Sequence, residues 1–194
     1  MTETPHIAVS YQEDLPAQII EEFTQAVEKG DLHFAAEVRP RVPYASFEWA
    51  VPTLAVVFIF RSYFDAFLKE AGKDHYVILK TALGQLIKRL MGSEPEKRQA
   101  RRSLIFSIRA TTRDGVPIKF IFPEGVPHEA YELIISSLLD ALNDHHHNKE
   151  QDHLSELLMT ENSLGGTYYL EYSPKLGGWI ALDWRAEAKK GQAD

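Results

Sequence analysis

The hydrophobic patterns of this 194-residue chain predict an α+β fold with a mainly antiparallel sheet of about six strands. Two pairs of alternating segments are each joined by a short turn, which is typical of antiparallel hairpins. Strands and helices do not alternate regularly, so a doubly wound parallel sheet is not expected. The predicted order is β-α-β-α-α-β-β-α-β-β, with the helices packed as a layer against the sheet.

The first three predicted elements are a strand, a helix and a second strand. Residues 6–11 alternate between apolar and polar side chains, as a half-buried strand does. Asp14 can cap the following helix, whose apolar residues recur at helical spacing until Gly30 ends it. Residues 32–38 alternate again, and Pro40 ends this second strand.

The most apolar segment of the chain runs from residue 49 to residue 68. Its first part, 49–60, contains a single polar side chain, Thr53. A helix that is apolar on every side must be buried on every side, so we expect a very apolar central helix that forms the core. Nearly complete burial is expected for three of its residues: Val56, Phe60 and Phe64.

A membrane span is the first alternative for this segment. The twelve uncharged residues of 49–60 would cover about 18 Å as a helix, whereas a bilayer core requires about 30 Å. Glu48 and Arg61 also flank the run closely. We therefore expect no stable membrane span, and the alternative left open is a helix that contacts a membrane after rearrangement.

Gly72 is expected to end the central helix, and Asp74 can cap a second helix whose apolar residues recur at helical spacing up to Met91. Only a short turn separates it from the central helix, so the two should form an antiparallel helical hairpin. The turn sequence Phe-Leu-Lys-Glu-Ala-Gly-Lys-Asp, residues 67–74, resembles segments of bacterial proteins, which implies a bacterial origin and no particular activity.

A β-hairpin is predicted where two alternating segments flank Asp114-Gly115. This dipeptide is the strongest short hairpin signal, because a type I′ turn requires positive φ at both central residues. Pro117 lies early in the second strand and favours an edge position or a bulge there.

The last third of the chain predicts helical segments followed by another hairpin. Pro127 opens an amphipathic helix, and apolar spacing resumes after the polar residues 144–152, so one long helix or two shorter ones are both open. Residues 168–172 and 179–184 then form the two hairpin strands. We expect a single domain over 1–194, with disordered tails at 1–5 and 187–194.

Composition limits the classes of function. The chain has no cysteine, which excludes disulfides and thiolate metal sites and favours a cytoplasmic location. Its formal charge of −7 disfavours a specific nucleic-acid binder. No secretion signal is recognised at the N-terminus.

A histidine-rich stretch is the candidate metal site. On a continuous helix His146, Glu150 and His153 would lie at i, i+4 and i+7, which places them on one face. Two imidazoles and a carboxylate can hold zinc. No established zinc pattern is matched, so a solvated helix surface is the competing interpretation.

Two further groups are candidates for partner binding. Arg98, Arg101 and Arg102 belong to a basic connector that could grip phosphates or an acidic surface, although a solvated charged loop is the competing interpretation. Tyr169 and Trp179 give the last hairpin aromatic side chains on its second face. Either helices cover that face, or it is a partner or dimer surface.

No catalytic or cofactor motif is found. Phosphate-binding glycine loops and the Gly-x-Ser-x-Gly elbow are absent from the sequence, and no cofactor is expected. Paired polar residues such as Glu171 with Asp183, or His33 with Glu37, could support acid–base chemistry, but their spacing is equally typical of outward-facing side chains.

The sequence therefore favours a non-enzymatic protein-binding module of the immunity or regulatory kind. Its acidic charge suits a basic protein partner, and a homodimer is also open. The alternatives are a small hydrolase or transferase that uses histidine and carboxylate residues, and a protein that meets a membrane through residues 49–60.

Overall fold

A computed structural model describes residues 4–40, 53–67, 72–147, 152–160, 163–183 and 185–186. The strands of this part of the chain are β1 (Ile7–Gln12), β2 (Phe34–Arg39), β3 (Ala55–Ile59), β4 (Arg102–Thr111), β5 (Pro117–Pro123), β6 (Tyr168–Ser173) and β7 (Gly178–Ala181). Its α-helices are α1 (Ala17–Glu28), α2 (Arg61–Phe67), α3 (Gly72–Met91), α4 (His128–His147) and α5 (His153–Met159), and Pro95–Lys97 forms a 3₁₀ turn.

The strands form one mixed sheet in the order β2-β1-β3-β4-β5-β6-β7, so β2 and β7 are its edges in the described part of the chain. The pairs β1–β2, β3–β4 and β5–β6 are parallel, whereas β1–β3, β4–β5 and β6–β7 are antiparallel. The α+β class is confirmed, but the prediction of a mainly antiparallel sheet is wrong. Each parallel pair is joined through helices, and such a crossover returns the chain in its original direction.

The apolar segment is a strand rather than a core helix. Residues 55–59 form β3 at the interior of the sheet, antiparallel to β1 and parallel to β4, and α2 begins only at Arg61. A short apolar run that is buried on both sides has the same composition in a helix and in a strand. The central-helix prediction is therefore wrong for 55–60, and residues 49–52 lie outside the described residues.

Burial confirms two of the three core residues expected in that segment. Val56 and Phe64 are each 2% exposed, whereas Phe60 is only half-buried at the end of β3. The sequence left open a helix over 49–60 that contacts a membrane. Most of the described part of this segment is strand β3, so the structure does not contain that helix there. No helix in the described ranges has both the length and the apolar character needed to cross a membrane.

One hydrophobic core lies between the sheet and the helices. Alternate sheet residues such as Val9, Val57, Ile108 and Phe120 point to one side and join a single cluster of buried side chains. All five described α-helices contribute to this cluster, so they cover the same face of the sheet. We call the opposite side the open face because no described helix packs on it, although Val56, Ser107 and Lys119 on this side are each at most 2% exposed.

The β4–β5 turn differs from the predicted type I′ turn. Gly115 has φ +81°, but Asp114 is not among the described residues with positive φ. Gly115 N–H donates to Thr112 O (3.0 Å), and Thr112 N–H donates to Val116 O (2.8 Å). This is a three-residue loop in which a tight turn is followed by a left-handed glycine, the usual alternative to a two-residue loop.

The α4–α5 region resolves the choice between one helix and two. Asp152 has extended backbone angles (φ −109°, ψ 158°) and caps α5 by accepting a hydrogen bond from Ser155 N–H. A helix cannot continue through such a residue, so α4 and α5 are separate helices. Of the tails predicted at 1–5 and 187–194, residues 1–3 and 187–194 lie outside the described residues, whereas residues 4 and 5 lie within them.

We predict that Gly115→Val lowers the free energy of unfolding by about 1–3 kcal/mol, because a β-branched residue is strained at positive φ. Chemical denaturation measures the loss. Gly84→Ala is the matched control: Gly84 lies in α3, and an added Cβ there would meet no atom within 4 Å. It should leave stability unchanged or raise it by up to about 1 kcal/mol.

Two aromatic truncations test the placement of β3 and α2. Phe64→Ala should cost about 3–5 kcal/mol through lost burial and a cavity. Phe60→Ala should cost about 1–2 kcal/mol, because the side chain is only partly buried in the native state and its truncation leaves no closed cavity. Equal losses in urea unfolding of the two variants would contradict this assignment.

Candidate functional site

Three cationic side chains lie on the open face and define what we call the cationic cluster: Arg39 of β2, Arg109 of β4 and Lys119 of β5. Arg109 and Lys119 are directly opposite each other in the antiparallel β4–β5 pair, so their side chains are neighbours. Lys119 is only 1% exposed. A buried lysine beside an arginine is unusual, because like charges opposite each other destabilise a sheet.

Arg39 reaches this cluster across strand β1. Its Nη2 donates to Ser10 O (3.2 Å) and to Thr53 O (2.7 Å), which holds the guanidinium near the start of β3. The Thr53 and Ser107 hydroxyls lie 2.7 Å apart, and this contact continues the polar band onto β4. Polar groups therefore run across the middle of the open face from β2 to β5.

The surroundings of Lys119 lower the pKa of its side-chain amine. Burial lowers the pKa of Lys119 to about 7, and the nearby charges of Arg109 and Arg39 act in the same direction. A substantial fraction of this amine is therefore uncharged at neutral pH. Perturbed titratable groups of this kind are concentrated at functional sites.

Several hydrogen-bond donors of the two arginines have no acceptor in the described part of the chain. The Nε and Nη1 atoms of Arg39 are buried and make no hydrogen bond. Half-buried Arg109 likewise forms neither a hydrogen bond nor an ion pair with any described residue. Buried donors are normally paired, so unsatisfied ones require an explanation.

An apolar groove of about 370 Å³ adjoins the cationic cluster on the same face. Phe58 is opposite Arg109 in the β3–β4 register, which brings the groove and the cluster together. The Phe58 and Phe60 rings are nearly parallel, with centroids 6.2 Å apart. Small side chains, including Ala8 and Ala35, line the groove on β1 and β2, together with the carboxylate of Glu37.

Tyr169 and Trp179, predicted as one partner surface, lie on opposite faces of the sheet. Tyr169 is opposite Lys119 on the open face and is half-buried, and burial raises its pKa while Arg109 opposes this. Trp179 is 5% exposed on the helix-covered face, where its ring packs against Phe120 at 5.0 Å. The structure does not bring these two rings together, and partner binding by either remains a prediction.

The predicted basic connector pairs with carboxylates of the protein itself. Arg98 and Arg101 lie 3.9 Å and 3.4 Å from an oxygen of Glu124, whose side chain is 2% exposed. Arg102 Nε donates to Glu171 Oε2 at 2.5 Å. These contacts are sufficient to explain the arginines as partners of carboxylates, and a role in partner binding stays a prediction.

A Ser-His-Asp combination lies at the α4–α5 corner, but its geometry is that of a structural contact and not that of a catalytic triad. His145 and Asp152 are both buried, and His145 Nδ1 lies 3.1 Å from both oxygens of Asp152. His145 Nε2 accepts the Arg113 backbone N–H (3.1 Å), so the ring proton must be on Nδ1. Ser155 Oγ contacts the same Nδ1 side, whereas a catalytic serine must face the other nitrogen.

The candidate metal ligands are not placed as a continuous helix would place them. His146 stacks on Phe64 at 4.2 Å and donates from Nε2 to Thr111 O, and burial lowers its pKa to about 4. His153 is exposed at the start of α5, and Glu150 lies outside the described residues. The described residues contain no group of three metal-binding side chains, and zinc binding stays a prediction.

The paired carboxylate and histidine candidates are also dispersed. Glu171 is bound to Arg102, whereas Asp183 accepts backbone hydrogen bonds from Arg185 and Ala186. The His33 N–H donates to His6 Nδ1 (3.2 Å), and Glu37 is exposed on edge strand β2. These contacts do not bring the candidate pairs into an acid–base site.

Sequence reasoning overlooked the cationic cluster. Arg109 and Lys119 each occupy a polar position of an alternating strand, and Arg39 immediately precedes Pro40, so the local pattern gives none of the three a role. The available signal was the Asp114-Gly115 turn, because a correct hairpin register places Arg109 opposite Lys119. The contribution of Arg39 depends on a sheet order that pattern analysis did not provide.

No family model, curated protein or solved structure matches this chain. Its function is therefore inferred from the geometry of the open face.

We predict that Asp152→Asn lowers stability by about 3 kcal/mol at neutral pH, because it removes the buried carboxylate that accepts the His145 Nδ1–H and pairs with Arg113. Burial alone would raise the pKa of Asp152, but hydrogen bonds from Ser155 and His145 hold it below its usual value. Its contribution is therefore present above about pH 4 and is lost as the pH falls through the lowered folded-state pKa.

Urea unfolding from pH 7 to pH 2 checks this prediction, and the difference between wild type and Asp152→Asn should shrink on acidification. Glu156→Gln is the control, because Glu156 makes only an exposed contact with His153 on the same helix. A constant difference at all pH values would contradict the assigned ion pair.

Proposed function

We propose that this protein is a non-enzymatic binding module that recognises an acidic segment of a partner protein on its open face. The observation that carries the proposal is the position of the cationic cluster: a chain of formal charge −7 places Arg39, Arg109 and Lys119 on the sheet face that the described helices do not cover. Local charge, rather than net charge, determines which partner a surface attracts.

The partner proposed here is opposite in charge to the partner expected from composition. Net charge alone favours a basic partner, but the cations of the open face favour carboxylates. The adjoining groove adds an apolar contact, since Phe58 and Phe60 offer ring surfaces and the neighbouring alanines leave space for a side chain. A segment with acidic and apolar residues two positions apart fits both features, because side chains at i and i+2 of an extended segment point to the same side.

The second candidate function is an enzyme, and one observation favours it. Lys119 has a pKa near 7, and an uncharged lysine amine can attack a carbonyl group to form a Schiff base. Incubation with a small 2-oxo acid and borohydride, followed by mass spectrometry, tests this reading. A stable adduct at Lys119 would favour an enzyme, and its absence would favour binding without chemistry.

We predict that a fluorescent decapeptide in which glutamate and phenylalanine alternate at every second position, with serine between them, binds in a salt-sensitive way and that Arg109→Glu weakens its binding at least tenfold. The replacement inverts one charge of the cluster, and the new carboxylate faces Lys119, so the fold should tolerate it. Fluorescence anisotropy at low and moderate salt measures the affinity.

Arg89→Glu is the matched control, because it changes the net charge equally but lies on the solvent-exposed side of helix α3, where Arg89 pairs with Glu22. It should alter affinity less than twofold. An equal loss in both variants, or tighter binding of a lysine–phenylalanine peptide, would contradict recognition by the open face.

A further inference from the structure

A cavity of about 350 Å³ lies at one end of the sheet, where β4 begins and β5 and β6 end. Its charged lining residues, among those that the structure describes, are Arg101, Arg102, Glu124 and Glu171. The volume falls within the range of about 300–1,000 Å³ that small-molecule sites occupy. The Arg101 side chain is 47% exposed, so the cavity opens to solvent and provides both room and access.

Arg101 is anchored to the protein at one edge of its guanidinium. Its Nε donates to Glu124 Oε2 (3.4 Å), and its backbone O accepts the Glu124 N–H (2.7 Å). The Glu124 side chain is 2% exposed and is itself fixed, because its Oε1 accepts the Leu104 N–H (3.2 Å). The guanidinium is therefore positioned before any ligand arrives, which lowers the entropic cost of binding.

The other edge of this guanidinium carries unused donors. Nη1 and Nη2 of Arg101 form no hydrogen bond or ion pair with any residue in the described part of the chain. These two nitrogens carry four N–H groups. Two parallel N–H groups on this edge match the two oxygens of a carboxylate, and bidentate pairs of this kind are among the strongest hydrogen-bonded contacts in proteins.

The charged groups around the cavity leave one positive charge unbalanced. Arg98 Nη1 and Arg101 Nε lie 3.9 Å and 3.4 Å from the same Glu124 oxygen. Arg102 pairs with Glu171. Three arginines therefore share two carboxylates, so a ligand with a single negative charge restores neutrality and a cationic ligand is repelled.

The rest of the cavity lining is mostly apolar: Ile121, Pro123, Val126, Tyr172 and Pro174 line it beside the charged groups. A ligand that places an apolar group against these residues removes apolar surface from water, and the gain in affinity grows with the area removed. The lining therefore favours an organic acid with an apolar group over a small hydrated anion such as acetate.

We propose that this cavity binds a small monocarboxylic acid, with the carboxylate on Nη1 and Nη2 of Arg101 and an apolar group against the wall near Val126 and Tyr172. The inference goes beyond the proposed function, because Arg39, Arg109 and Lys119 do not line this cavity. The site and the open-face cluster therefore take different ligands.

The first test is isothermal titration calorimetry of the full chain with 3-phenylpropionate, its uncharged amide and acetate. We expect saturable binding of 3-phenylpropionate and at least tenfold weaker binding of the other two. Equal binding of the amide would overturn the role of the carboxylate, and equal binding of acetate would overturn the role of the apolar wall. Absence of saturable binding by both 3-phenylpropionate and hexanoate would overturn the site.

Three variants assign the binding to Arg101. Arg101→Gln should weaken 3-phenylpropionate at least tenfold, and Arg101→Lys at least fivefold, because lysine keeps the charge but cannot form the bidentate pair. Lys97→Gln is the matched control: it removes one exposed charge of the same connector, where Lys97 pairs with Glu94, and should change affinity less than twofold. Wild-type affinity in Arg101→Gln, or equal weakening in the control, would overturn the assignment.

A competition experiment separates this cavity from the open face. Saturating amounts of the glutamate–phenylalanine peptide should leave the affinity for 3-phenylpropionate unchanged, because the two ligands occupy different parts of the sheet. Competitive displacement would overturn the assignment of a separate site for the small acid.

Discussion

Strand β3 is the constraint on which the rest of the architecture depends. It pairs antiparallel with β1 and parallel with β4, so it joins the two-stranded crossover unit of β1 and β2 to the four strands that follow. Ala55, Val56, Val57 and Ile59 are all buried, and a charge at any of these positions would be desolvated on both sides. The uninterrupted apolar run is therefore a requirement of its interior position.

The one-sided helical layer determines what the open face can become. Apolar residues of alternating strands are directed to the helices, so the opposite positions carry the remaining side chains, including Ser107, Arg109 and Lys119. Their partial desolvation makes charge more influential there than on an ordinary surface, because electrostatic interactions strengthen as water is excluded. The fold thus places most of the apolar core on one face of the sheet and these polar and charged side chains on the other.

The sequence predicted the elements whose patterns are local and missed those set by distant neighbours. Helices α1, α3 and α4 have clear apolar stripes, and both hairpins have turn residues between alternating strands. Burial of β3 on both faces removes the alternation that identifies a strand, and the parallel pairs arise from crossovers that no local pattern encodes. The cationic cluster was missed for the same reason, because Arg39 lies 70 positions before Arg109 and meets it only through the sheet order.

The position of β2 at an edge of the described sheet affects self-association of the protein at high concentration. Ile7 N–H bonds to His33 O and Glu13 N–H bonds to Arg39 O, so by strand alternation the odd-numbered residues of β2 face β1. The N–H and C=O groups of Phe34, Ala36 and Val38 point outward, a ladder that could template fibril-like growth from molecule to molecule. The exposed carboxylate of Glu37 lies at the middle of this edge. When two such edges approach each other, their Glu37 charges repel, and this repulsion disfavours self-association.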